Sequence, residues 1–173
     1  MQTLFNYIQA GGNTMYILLA FNIIGLTTII YKLIQVHYFK YKQENAVKEI
    51  IDNIDKSLSL SMQKSLIEDG IIIKVSSLDY GLNTIKTIAS IAPLLGLLGT
   101  VLGVLFSFES ISKNGLGDPS VFASGISLAL IITIGGLVVA IPHYIAYNHL
   151  ASTLDKIEVE LKKNINNILF KEK

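Results

Sequence analysis

Hydrophobic positions along this chain are bunched rather than evenly spaced, and charge is missing from three long stretches. Met1 to Tyr31 carries no charged side chain, Thr87 to Phe108 carries none, and Pro119 to Ala151 carries none apart from two histidines. Crossing about 30 Å of hydrocarbon takes about 20 apolar residues at about 1.5 Å each. The pattern predicts membrane-spanning helices at about Met15 to Val36, Ile88 to Phe108 and Val121 to Tyr147. Helices of a soluble bundle would carry charges on their outward faces, and these stretches do not. The expected fold class is all-α, an integral membrane protein with three transmembrane helices.

Between and after these stretches the periodicity changes. Val47, Ile50, Ile51, Ile54 and Leu58 follow helical spacing, with Lys48, Glu49, Asp52, Asn53 and Asp55 on the opposite face. Glu68, Asp69 and Gly70 read as a turn. Leu78, Leu82, Ile85 and Ala89 then place an apolar stripe on a helix running straight into the second span. Leu150, Leu154, Ile157, Leu161, Ile165 and Ile168 recur at steps of four and three, a seam that carries the third helix onward. Asp118 before Pro119 reads as a capping side chain followed by proline at the first helical position.

Charge sets the expected orientation. The chain has 173 residues, 51% of them hydrophobic, and its 14 basic residues are all lysines. Lys32 stands in the last turns of the first span and Lys40, Lys42 and Lys48 follow it closely, Lys86 precedes the second, and Lys156, Lys162, Lys163, Lys171 and Lys173 follow the third. The connection from Glu109 to Ser120 holds only Lys113, beside Glu109 and Asp118. The positive-inside rule puts the N-terminus outside and both the middle segment and the C-terminus inside. The expected organisation is a periplasmic N-terminus and first span (1–38), a cytoplasmic helical segment (39–86), the second span (87–108), a periplasmic loop (109–120), the third span (121–147) and a cytoplasmic C-terminal helix (148–173). Two of the spanning helices thus extend into the cytoplasm. The first apolar segment has no basic leader and no small-residue cleavage site, so it reads as a retained span. A net charge of +1 with acids and bases interspersed gives no footprint for nucleic acid. With no cysteine, disulfides, thiol catalysis and cysteine-ligated metal are excluded.

Two spans carry more small residues than an anchor needs. Lipid tails are as apolar as leucine, so helices associate in a bilayer through small residues that let backbones approach. Gly96, Gly99 and Gly103 form such a stripe, with Pro93, Thr100 and Ser107 seven apart on a neighbouring track. In the third span Gly125, Ala129, Thr133, Gly136 and Ala140 form another, and Pro142 is expected to kink that helix. Residue types alone leave two readings open. The threonines bond to backbone carbonyls in their own helices, or their hydroxyls hold water or relay a proton where a full charge would be costly.

The stretches "APLLGLLGTVLGVLFSF" (Ala92 to Phe108) and "GISLALIITIGGLVVAIPHYIAYN" (Gly125 to Asn148) resemble the MotA/TolQ/ExbB proton-channel family, most nearly its ExbB and TolQ branch. The resemblance implies a homo-oligomer, a pentamer, around single-span helices of an ExbD-like partner whose carboxylate takes and releases the proton. It implies that Thr100 and Thr133 line the inner face, with Ser107 a third candidate. Pro93, Gly96, Gly99, Gly103, Gly136 and Pro142 then set helix spacing and bend. It further implies a TonB-like protein carrying force to an outer-membrane receptor, or TolQ-like envelope maintenance. The bacterial inner membrane is the implied location, with membrane lipids as surroundings.

One departure stands out. A glutamate is common in that branch five residues before the third-span threonine, and here Leu128 takes that place. Either the partner's carboxylate with hydroxyls and water suffices, or the subunit is a non-conducting scaffold. No cofactor is expected. His143 and His149 are six apart, not the three or four that stack two ligands on one helical face. His143 has two readings, a group that titrates along a proton exit and an interfacial side chain, and the second is preferred. Without a Ser/His/Asp set, a phosphate-cradling loop or paired carboxylates, an enzyme is not expected.

Overall fold

The computed structural model describes residues 8–9, 11–55, 57–115 and 119–171. Those residues form helices α1 (Gly12–Tyr41), α2 (Gln43–Asp52), α3 (Leu60–Asp79), α4 (Leu82–Asn114) and α5 (Pro119–Lys171), with no strand among them. Three helices are long and apolar enough to cross a membrane, within Gly12–Tyr41, Leu82–Lys113 and Phe122–Ile168. Only 22% to 33% of their most apolar stretches is buried by the chain itself, so most of that surface is left for lipid or other subunits. Asp118 lies outside the described residues; α5 begins at Pro119.

The chain divides into two compact units. The first joins Met1–Thr27 to Thr84–Ala146. Its core is Leu18 from α1, Ile88 and Ala92 from α4, and Ile132, Val139 and Ala140 from α5. Near the connection between α4 and α5 the rings of Phe108 and Phe122 meet edge to face at 6.1 Å, a favoured aromatic geometry. α4 runs past Phe108 to Asn114 and ends on Gly115, whose φ of 75° and N–H bond to the Ile111 carbonyl at 2.8 Å make a left-handed stop. Pro93 and Pro142 both lie inside unbroken helices, as membrane helices tolerate.

The second unit joins Thr28–Asn83 to Tyr147–Lys173. Here three sequence expectations are corrected. α2 stops at Asp52 and does not reach Leu58, because Asp55 accepts the Ser57 N–H at 2.9 Å and holds the chain in a turn that competes with helix. Glu68, Asp69 and Gly70 are not a turn but lie within α3. Gly70 serves there as a contact point, since a Cβ on it would meet the Ile50 side chain of α2 at 3.1 Å. Leu78 and Leu82 do not share one helix, because Tyr80 and Gly81 separate α3 from α4 and Gly81 has φ of 95°. Both leucines are nonetheless buried, as are Leu150, Leu154, Ile157, Leu161 and Ile165 of α5, while Ile168 is exposed.

Lys32 is the unusual member of this unit. It is 2% exposed, and its ammonium donates to the Gln35 side-chain oxygen at 2.7 Å and to the Leu78 carbonyl at 3.0 Å. Leu78 is next to last in α3, so a cation sits on the carbonyl-rich end of that helix, where the helix dipole favours it. Gly81 leaves room for the lysine stem: a Cβ there would lie 3.0 Å from Cε of Lys32.

Candidate functional site

The seam between α4 and α5 is built from missing side chains. A Cβ placed on Gly96 would lie 3.2 Å from the Thr133 Cα, and one on Gly103 would lie 2.7 Å from the Ala129 Cβ. One on Gly99 would strike the Ile132 side chain, and one on Gly136 would lie 2.6 Å from the Ala92 carbonyl oxygen. Partner numbers fall on α5 as they rise on α4, so the two helices are antiparallel. Backbone this close leaves little room for a side chain at these glycines and places main-chain carbonyls of one helix beside side chains of the other. Ala129 and Ala140 are buried in the first unit.

The three hydroxyls sit differently. Thr133 is half-buried in the seam, with Oγ1 3.0 Å from the Gly96 carbonyl oxygen and 3.3 Å from that of Ala129. A single hydroxyl hydrogen is thus shared between a neighbouring helix and its own, leaving the oxygen free to accept. Thr100 donates to the Leu97 carbonyl at 2.6 Å and stays half-buried, beside the exposed Leu97 and Val101. Ser107 is 2% exposed and donates to the Gly103 carbonyl at 2.9 Å, with its oxygen against Gly125. Within one copy, then, Thr133 and Ser107 face the partner helix, and Thr100 faces the rim.

Leu128 is partly buried and packs against the core of the first unit. Pro93 lines a shallow apolar groove with Ala89, Leu137, Ala140, Ile141 and Tyr144 on one flank of the seam. A larger apolar groove, about 730 Å³, lies on the other flank of α5 between Met15, Leu18 and Asn22 of α1 and Ile134, Gly135 and Val138 of α5. It holds neither threonine, and its greasy lining matches hydrocarbon better than a polar path. The described residues contain no group of three or more carboxylates and histidines placed to hold a metal.

Two residues that sequence reasoning did not single out shape this unit. Gly25 of α1 lies against the ring of His143, and Gly135 of α5 lies against Met15, 2.9 Å from its sulfur by a Cβ placed on the glycine. His143 is fully enclosed, a burial that the sequence reading did not anticipate. For Gly25 the signal in the sequence is a lone glycine in an apolar run, and for Gly135 a glycine pair with Gly136; neither says anything about the contact it makes.

The MotA/TolQ/ExbB proton channel family matches residues 38–163 of the chain. The putative biopolymer transport protein ExbB homolog of Methanothermobacter thermautotrophicus is 28% identical over 199 aligned positions, covering 95% of this chain and 70% of that protein. The Tol-Pal system protein TolQ of Haemophilus influenzae is 32% identical over 123 positions, covering 70% of this chain and 50% of its own. The biopolymer transport protein ExbB of Aquifex aeolicus is 50% identical over 66 positions, covering 38% of this chain and 45% of its own. The chain thus spans 70% of the first relative and about half of the other two.

Proposed function

This chain belongs to the MotA/TolQ/ExbB proton channel family, and on that premise we propose that it is an ExbB-like subunit of a proton-driven motor in the bacterial inner membrane. Five copies surround the single-span helices of an ExbD-like partner, with the N-terminus periplasmic and the C-terminus cytoplasmic. The partner supplies the carboxylate that takes and releases the proton, and a TonB-like protein carries the resulting movement to outer-membrane uptake.

The observation that carries this reading is the pair of hydroxyls on the glycine seam. Thr133 is held between two backbone carbonyls yet keeps an oxygen that can accept, and Thr100 presents its hydroxyl at the rim of the same helix pair. A hydroxyl both donates and accepts, so it can pass hydrogen bonds to a guest carboxyl without adding a charge to the bilayer. Ser107 has the same chemistry deeper in the seam and is the weaker candidate. Leu128 leaves the third span without an acid, so the carboxylate of this reading is the partner's. A membrane potential supplies about 2.3 kcal/mol per elementary charge per 100 mV, so a few protons per cycle suffice to shift a packed helix.

The alignment with a TolQ over 70% of the chain favours envelope maintenance as a second reading. Complementation separates the two. Restoring siderophore-dependent growth to a host lacking its own ExbB supports the first, and restoring detergent resistance to a host lacking TolQ supports the second. A stable complex with the partner that restores neither supports a non-conducting scaffold, with Leu128 as its mark.

A further inference from the structure

Beyond Thr133 on α5, and turned toward a different neighbour, lies His143. Its ring is 0% exposed, and Nδ1 is 2.6 Å from the Val139 carbonyl oxygen one turn back. A carbonyl only accepts, so Nδ1 carries the hydrogen and the lone pair of the neutral ring is on Nε2. Nε2 is buried and has no hydrogen-bond partner. It points at α1, where a Cβ on Gly25 would collide with both Nε2 and Cδ2. The imidazole edge therefore rests on bare backbone, in a slot that exists because residue 25 has no side chain.

Among the described residues of the first unit, no charged side chain is recorded against that slot. The stretch of α1 in this unit has Tyr16 as its one titratable side chain, and that ring is exposed. α4 contributes Lys86 at its near end, which is exposed, and beside His143 on α5 stands Tyr144, also exposed. A proton added to Nε2 would create an N–H aimed at a Cα, with a full charge and no acceptor in an apolar contact. An unpaired buried charge is costly, so the protonated ring and the closed contact exclude one another.

We propose that the His143–Gly25 contact is a proton-sensitive joint between α1 and α5. It is closed while the imidazole is neutral, and it opens when a proton from water binds Nε2 and the new N–H turns to a water. Because the proton binds only the open form, falling pH shifts the population toward opening. The joint uses neither threonine, so it stands whether or not the subunit conducts.

The absence of cysteine allows a direct test in the full-length protein. Spin labels on cysteines replacing the exposed Ile23 and Ile145 report the distance between the two helices, with labelled subunits diluted among unlabelled ones. Between about pH 8 and about pH 5 the mean distance is expected to lengthen by about 2 Å or more. It should stay fixed in His143→Leu, and Gly25→Ala should be long at both values. An unchanged distance in the labelled parent, or an equal change in His143→Leu, overturns the proposal. If His143→Leu fails to fold, a chain with His37→Gln and His149→Gln keeps His143 as its one imidazole for nitrogen NMR. The expected result is the Nδ1–H tautomer at the higher pH and, at the lower, an imidazolium that appears together with faster exchange of amides around Gly25. Titration without that exchange, or a proton on Nε2 at the higher pH, rejects the joint.

Discussion

The Thr133 hydroxyl reaches across the helix pair to the Gly96 carbonyl oxygen at 3.0 Å, so a polar side chain of α5 is bonded to the backbone of α4. That contact is possible because Gly96 has no side chain to hold the helices apart. Thr133→Val keeps the shape and removes the bond. The expected cost is about 0.6 to 1.7 kcal/mol, the range of interhelical hydrogen bonds in membranes. Thr133→Ser should recover most of it, as measured by reversible unfolding in mixed detergent micelles.

Gly136 is the position in this seam where substitution is hardest to absorb. A Cβ there meets the backbone oxygen of Ala92 at 2.6 Å, and a backbone carbonyl cannot swing aside as a side chain can. Gly136→Ala should push α4 and α5 apart and destabilise the protein by about 1 to 3 kcal/mol, as overpacking does. Gly12, whose added Cβ would meet nothing within 4 Å, bounds the effect of a small-residue change alone, apart from the strain of its φ of 58°. Cysteine cross-linking between the two helices reads the separation.

Lys32 caps the end of α3 from within α1. Lys32→Met keeps the stem but leaves the Leu78 carbonyl without its charged donor. The loss should be about 1 to 2 kcal/mol, partly offset because a buried charge is removed as well. It should appear as faster hydrogen exchange confined to the last turn of α3, with α2 unaffected.

Acid should loosen the turn between α2 and α3. Hydrogen bonds from the Ser57 backbone and hydroxyl hold the Asp55 carboxyl below its ordinary pKa of 3.8. A depressed carboxyl contributes stability in full above its unfolded value and loses it as pH falls through the folded one. Protection of the Ser57 amide, taken relative to its intrinsic exchange at each pH, should therefore fall as pH drops below about 4. Asp55→Asn should remove that pH dependence while leaving the same turn at neutral pH.

What the sequence made legible, and what it hid, follows from range. The three spans could be read because charge is absent for a whole bilayer thickness, and the Leu150–Ile165 seam because period and burial coincide. The turn placed at Glu68 to Gly70 failed because glycine has two uses, freeing the backbone and admitting a neighbour, and Gly70 serves Ile50. The Gly81 break was missed because the apolar stripe stays buried on both sides of it. Family resemblance drew attention to Thr100 and Thr133, but their different settings depend on which carbonyls pack nearby. The burial of Lys32 and His143 could not be read at all, since one needs the end of a distant helix and the other needs the missing side chain of Gly25.

Proton flux into liposomes containing this subunit with its single-span partner tests the central claim most directly. Flux is expected to require the partner's carboxylate and to fall by at least about tenfold in both Thr100→Val and Thr133→Val, with serine at either position restoring it. Complexes that assemble normally and conduct at the parent rate with both valines in place would contradict the account.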